Sequence, residues 1–204
     1  VIRARYIAFE GAEGCGKSTQ AAGRAERTGA LLTRETGGTD VGARLRGILH
    51  DTTVDDLSDR AEALIAAADR AQHIDQIVRP ALGSGRNVVS DRSVYSTMAY
   101  QGYGRQLELE PLRRVNDWAT SGLWPDLVVF MDTPDEIMAE RMSRRELDRF
   151  ESAGASFHDR VISGFRTMAA QDSARWITVP AIGTIAEVGA QVDEAIARWE
   201  GTHT

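Results

Sequence analysis

Residues 6–20 read Tyr6-Ile7-Ala8-Phe9-Glu10-Gly11-Ala12-Glu13-Gly14-Cys15-Gly16-Lys17-Ser18-Thr19-Gln20. The opening apolar run, bounded at once by Gly-rich sequence, predicts a short buried strand. From Gly11 to Ser18 the spacing is G-x-x-x-x-G-K-S. Residues 17 to about 28 favour helix, and Gly29 is its stop. Strand, Gly-rich loop and helix in that order make a phosphate cradle. The glycines let the loop turn tightly, so that successive N–H groups point inward, and the helix start adds its positive dipole end. The motif places Gly11, Ala12, Glu13, Gly14, Cys15, Gly16, Lys17, Ser18 and Thr19 around the polyphosphate tail of ATP. Lys17 reaches the β- and γ-phosphates there, and the Ser18 hydroxyl ligates Mg²⁺. Cys15 reads either as a small loop filler or as a thiol near a helix N-terminus, open to alkylation. GTPases carry an N-K-x-D base-reading motif, which this chain lacks.

Outward from the loop, short apolar runs alternate with helical stretches. Strands are expected at Leu31–Arg34, Asn87–Ser90, Leu127–Asp132 and Trp176–Val179. Helices are expected after Thr39, with Val41, Leu45, Ile48 and Leu49 on one face, and from Ser58 to about Leu82, with Ala61, Leu64, Ile65, Ala68, Ala71, Ile74, Ile77 and Val78 at its apolar positions. Others follow Arg92, start near Pro134, and span Phe157–Gln171 and Ile185–Trp199. Such alternation predicts an α/β, three-layer P-loop NTPase fold: a central five-stranded parallel sheet flanked by helices, plus a short lid. Neither repeat nor linker interrupts the pattern, so residues 1–204 are read as a single domain.

The composition sets limits. At 204 residues, 42% hydrophobic and 26% charged, the chain can build a full core and lies outside the disordered range. A net charge of −6 argues against binding a nucleic-acid polymer, which needs a surplus of Lys and Arg. Cys15 stands alone, so no internal disulfide points to an oxidising compartment. The first ten residues are too short and polar for a secretory signal, and no apolar run approaches the length of a membrane span. A soluble, cytoplasmic protein with no membrane partner is expected.

An acidic protein that binds nucleotides needs local arginines. Asp91-Arg92 ends a predicted strand, the place where ligands sit in α/β sheets. Asp91 is positioned to organise magnesium, and Arg92 offers a bidentate fork to a phosphate; the alternative is a surface ion pair of little worth. Arg141, Arg144, Arg145 and Arg149 crowd into nine residues. That run reads as a solvated face, or as a lid over about 141–151 that brings an arginine to the transferring group. Phosphoryl transfer depends on positioning and charge neutralisation, which favours the lid.

Several ordered motifs together resemble the bacterial thymidylate kinases, over nearly the whole chain. They are the phosphate loop, Thr33-Arg34-Glu35-Thr36-Gly37-Gly38-Thr39, Asp69-Arg70-Ala71-Gln72-His73, Asp91 to Gln101, Trp124-Pro125-Asp126-Leu127 and Asp148-Arg149-Phe150-Glu151. The resemblance implies a kinase that moves the γ-phosphoryl group of ATP to dTMP in dTTP synthesis, with Lys17, Asp91, Arg92 and the lid arginines Arg144, Arg145 and Arg149 catalytic. It implies that Arg46 and Arg92 hold the acceptor phosphate, with Glu35 near the sugar and phosphate. Arg70, Thr97 and Gln101 would read the thymine, and Tyr100 would pack by the sugar. A homodimer through the 58–82 helix or the helix after Arg92 is also implied. Family members without an arginine in the phosphate loop carry it in the lid, and this loop has Glu13 instead. The chain departs from the pattern at Ala66, where the family has a Phe that stacks on thymine, and at Thr36, Ser93 and Pro180. These departures leave two alternatives: a kinase of another deoxynucleoside monophosphate such as dUMP, or a silent nucleotide-binding regulator.

Overall fold

The computed structural model describes residues 3–134, 136–138 and 148–202. Five strands form one parallel sheet: β1 (Tyr6–Glu10), β2 (Leu31–Arg34), β3 (Val88–Asp91), β4 (Leu127–Asp132) and β5 (Trp176–Pro180). Their order is β2-β3-β1-β4-β5. All of β1 is buried, and so is β4 as far as Met131, as expected of strands covered on both faces.

Alternation along the strands divides the core. Ile7, Phe9, Leu127, Val129 and Met131 pack with Ala21 and Ala25 of α1 (Lys17–Thr28) and Val192 and Ile196 of a C-terminal helix, Ile185–Thr202. On the other face Val128, Phe130 and Trp176 pack with Tyr95, Ala99 and Phe165. The sheet is therefore the middle of three layers. Register places Phe9 opposite Asp91, and Glu10 opposite Phe130. The loop after β1 is thereby set beside the Asp91-Arg92 end of β3.

The expected helix over 58–82 exists in three joined pieces: α3 (Asp59–His73), a π-helical turn (Ile74–Val78) and α4 (Arg79–Gly83). Ser58 caps α3, its Oγ accepting from the amide of Ala61 at 3.3 Å. The π turn ends two residues before Pro80, which has no N–H for the carbonyl four residues back. Past Arg92 come a short helix, Val94–Thr97, a second π-helical stretch, Met98–Gly104, and then a helix over Leu109–Thr120. Beyond β4 the chain is helical at 136–138, and Ala155–Gln171 is helix.

Two apolar faces were misjudged by period. On α2 (Asp40–His50) Val41 and Ile48 are exposed, whereas Gly42 and Leu49 are buried. Gly42 lies close to Asp69 of α3, which turns the helix so that Arg46 faces the cleft. On α3 Leu64 is exposed, while Glu62, Asp69, Arg70 and His73 are buried. The inward face of α3 is polar because it builds the site. No helix among the described residues is long and apolar enough to cross a membrane.

Candidate active site

The loop after β1 is shaped from behind and open in front. Gly11 has φ 145°, and a Cβ there would stand 2.8 Å from Cys15 Sγ and 2.9 Å from the Met131 carbonyl oxygen. Gly16, at φ 91°, is the N-cap of α1 and brings no side chain to its free amides. Glu13, Gly14, Gly16, Lys17, Ser18 and Thr19 line a cleft of about 480 Å³, while Gly11, Ala12 and Cys15 form its backing. Lys17 is held over the loop, its Nζ donating to the Ala12 carbonyl at 3.0 Å. The Cys15 thiol packs into the core, so the loop-filler reading holds and alkylation of the folded protein is not expected.

Across the cleft stand Arg34, Arg46, Arg70 and Arg92. Arg92 has φ 74°, an uncommon conformation for a residue with a Cβ. Its amide donates to Phe9 O at 2.9 Å and its carbonyl accepts from Ser90 Oγ at 2.7 Å. The left-handed turn swings the guanidinium back over the loop, where it donates to Glu13 Oε1 at 2.5 Å, Ser96 Oγ at 3.1 Å and Tyr100 Oη at 3.2 Å. Tyr100 Oη in turn donates to Glu13. Burial alone pushes the Glu13 carboxyl up, but Arg92, Lys17 and the Tyr100 hydroxyl together hold it below its ordinary value. Burial likewise works against the charge on Arg92, and Glu13, Tyr100, Glu10 and Asp91 outweigh it.

Arg46 is less compensated. Desolvation, with Arg34 and Arg92 nearby, lowers its pKa, and its hydrogen bonds are weak ones, to Thr36 O at 3.3 Å and Thr36 Oγ1 at 3.4 Å. Three guanidinium groups drawn together in this way favour an anion between them.

Arg70 is fixed in place: Nε donates to Glu35 Oε2 at 2.7 Å, and the other nitrogens to Asn116 Oδ1 at 2.5 Å and the Ser93 carbonyl at 3.2 Å. Glu35 also bonds His73 Nδ1 at 2.8 Å. Burial raises the Glu35 carboxyl, and Arg70 with His73 more than reverses that. Ala66, Ser96, Thr97, Tyr100 and Gln101 complete this wall.

Asp91 is at the cleft floor, and its Oδ1 is buried with no hydrogen-bond partner among the described residues. A buried carboxylate oxygen in a cleft that Ser18 also lines suits a hard cation.

One expectation does not land in the cleft. Arg149 turns away, donating to Leu49 O at 3.0 Å and Glu62 Oε2 at 2.5 Å. Arg141, Arg144 and Arg145 lie outside the described residues. In the helix after Arg92, Ser96 and Tyr103 are half-buried and the rest is buried.

Other residues reach the site that had no role assigned from the sequence. Glu10 is fully buried at the end of β1. It accepts from Ser93 Oγ and Ser96 Oγ, each at 2.7 Å, and so orients the Ser96 that Arg92 touches. Ser93, one of the departures, is therefore a link from β1 to the next helix. Asp148, Phe150 and His50 reach the cleft through tertiary folding.

A phosphate loop and a wall of guanidinium groups face each other across one cleft. That is the layout of a P-loop kinase moving a phosphoryl group between two nucleotides. The family model described as Thymidylate kinase matches residues 9–192, and the chain belongs to the thymidylate kinase family. It is 45% identical over 205 residues to the thymidylate kinase of Nitratidesulfovibrio vulgaris (Miyazaki F), covering 94% of this chain and 95% of that one. Over 192 residues it is 44% identical to the enzyme of a Synechococcus strain, covering 92% and 91%. The crystal structure of thymidylate kinase from Ehrlichia chaffeensis superposes with a TM-score of 0.80 at 27% identity, covering 96% of this chain and all of that one.

Proposed function

We propose that the chain transfers the γ-phosphoryl group of ATP to dTMP, giving dTDP and ADP. Carrying this reading is the opposition of Lys17 and the α1 amides on one wall to Arg46, Arg70 and Arg92 on the other. An oxygen of the acceptor phosphate attacks the γ-phosphorus as the bond to the β-phosphate oxygen breaks, with no covalent enzyme intermediate. Arg92 and Arg46 hold the acceptor phosphate, and Lys17 offsets charge on the β- and γ-groups. Arg70, Thr97 and Gln101 read the base, and Tyr100 fills the space beside the sugar, where its bulk disfavours a ribose 2′-hydroxyl. Glu35 holds Arg70 in place.

Mg²⁺ fits Ser18 and the orphaned Asp91 oxygen, and when bound it neutralises charge on the phosphates. The loop carries Glu13 rather than an arginine, so we assign charge neutralisation at the transferring group to Arg144 and Arg145. We also propose a single domain, a cytoplasmic location, and a homodimer packed along α3. Leu64 there is 57% exposed, as is Trp118 of the helix beside it at 85%.

The test is ADP release coupled to a reporter, with Mg-ATP and dTMP, dUMP or other monophosphates. Stimulation is expected with dTMP. No stimulation by any pyrimidine monophosphate refutes the proposal.

A further inference from the structure

We propose that Arg149 is a positioning residue which, paired with the buried carboxylate of Glu62, holds the Asp148–Glu151 turn against the nucleotide cleft. The inference rests on the kinase reading above and concerns how the acceptor side of that site is kept in shape.

The turn presents alternate surfaces. Asp148, Phe150 and Glu151 line the cleft, and Arg149 does not. Its guanidinium points the opposite way, to Glu62 Oε2 at 2.5 Å and the Leu49 carbonyl at 3.0 Å, and lies over the Phe150 ring at 5.0 Å. An arginine acting on the transferring group needs its fork directed at the phosphates, and this fork is spent on α3 and the end of α2.

Glu62 is fully buried on α3 and gathers three segments. Besides Arg149 it accepts from Gln101 Nε2 at 2.8 Å and from Arg105 at 3.1 Å. A carboxylate so enclosed depends on its partners, because an unpaired buried charge is costly. Gln101 is one of the base-reading side chains, so one anion ties the base wall to the turn.

The turn is also capped from within. Asp148 Oδ1 accepts from the amides of Phe150 and Glu151, each at 2.9 Å, and Glu151 Oε2 accepts from the Asp148 amide at 3.0 Å. His50 Nδ1 meets Asp148 Oδ2 at 2.6 Å. A self-capped turn moves as a unit, so the Glu62–Arg149 pair, together with His50 at Asp148 and His158 at the Glu151 carbonyl, sets where its cleft face sits. Phe150 shares an apolar cluster with Leu49, Ala66 and Tyr100. The pair therefore supplies an aromatic to the same wall, where the apolar residue that α3 offers is Ala66.

The experiment measures dTMP binding by calorimetry and steady-state turnover for the wild type, Arg149→Ala, Arg149→Lys, Glu62→Gln and the Arg149→Ala/Glu62→Gln double variant. Arg149→Ala and Glu62→Gln should each raise Kd and KM for dTMP about tenfold while kcat stays within about threefold. The double variant should be no weaker than the worse single one, as for two groups acting through one contact. Arg149→Lys, which keeps a cation opposite Glu62, should recover most of the loss. A fall in kcat of about a hundredfold with unchanged KM for dTMP would place Arg149 on the reacting phosphates and overturn the proposal. So would losses that multiply in the double variant. If Arg149→Ala does not fold, the same fall in kcat at unchanged KM in Arg149→Lys overturns it equally. A wild type that binds dTMP without turning over refutes the kinase reading, and the binding data still decide the role of Arg149.

Discussion

Arg92 has a backbone role and a side-chain role, and two substitutions separate them. In Arg92→Ala the guanidinium is lost and the left-handed backbone at φ 74° stays. In Arg92→Gly the guanidinium is lost and the strain goes with it. Two charge-assisted hydrogen bonds to the acceptor phosphate, at about 1.5–3 kcal/mol each, make the side-chain loss about 3–6 kcal/mol. That corresponds to a fall of about 10²–10⁴ in kcat/KM for dTMP, the same in both variants. Glu13 adds to the fall, since it loses its main counter-charge and faces the incoming phosphate as an anion. Stability should divide them. The left-handed conformation costs a residue with a Cβ about 1–2 kcal/mol, and glycine gives back part of that as unfolded-state entropy. Arg92→Gly should thus be about 0.5–1 kcal/mol more stable than Arg92→Ala, a Tm higher by about 1–4 °C. Coupled turnover and a thermal melt read the two effects. If Arg92→Ala keeps kcat/KM within tenfold of wild type, the phosphate is held elsewhere. Should the glycine variant melt below the alanine one, the strain is wrongly assigned.

Ala66→Phe should lower KM for dTMP about tenfold, since base–aromatic stacking is worth about 1–3 kcal/mol; an unchanged KM would mean that the wall already stacks the base. Asp91→Asn should weaken the Mg²⁺ dependence of ATP binding about 10–100-fold, read by titrating Mg²⁺ against nucleotide affinity, and an unmoved midpoint excludes Asp91 from the metal. Burial raises the Asp148 carboxyl, but His50 and the turn amides overcome this and hold it at about 2 against an ordinary 3.8. A depressed pKa contributes stability that is complete above the unfolded value and is lost as pH falls through the folded one. His50→Ala should therefore flatten the loss of stability between about pH 4 and pH 2, followed by circular dichroism, and an unaltered acid profile would show that the His50 contact contributes nothing.

The phosphate loop was legible because its chemistry is local. Eleven consecutive residues, from Gly11 to Ala21, hold the turn, the amides, Lys17, Ser18 and the helix start, and of these Glu13, Gly14 and Gly16 to Thr19 line the cleft. The central strands β1, β3 and β4 were legible for a related reason: burial on both faces leaves unbroken apolar runs such as Leu127–Met131. Arg70 and Arg92 were found through motifs and Arg46 through the family resemblance, since single arginines carry no periodic signal. Period misled on α2 and α3, where the apolar residues Val41, Ile48 and Leu64 face outward and charged ones face the site.

By itself, then, the sequence determined the buried strands and the phosphate loop, because bonded neighbours and strand burial specify those directly. Only the tertiary structure decided that Arg92 clasps Glu13 across the cleft, that Glu10 and Ser96 steady it, and that Arg149 turns to Glu62. Those pairings join residues 79, 86 and 87 positions apart along the chain. No spacing rule reaches so far: which buried carboxylate meets which guanidinium is settled when the layers close and each charge must find a partner before it leaves water.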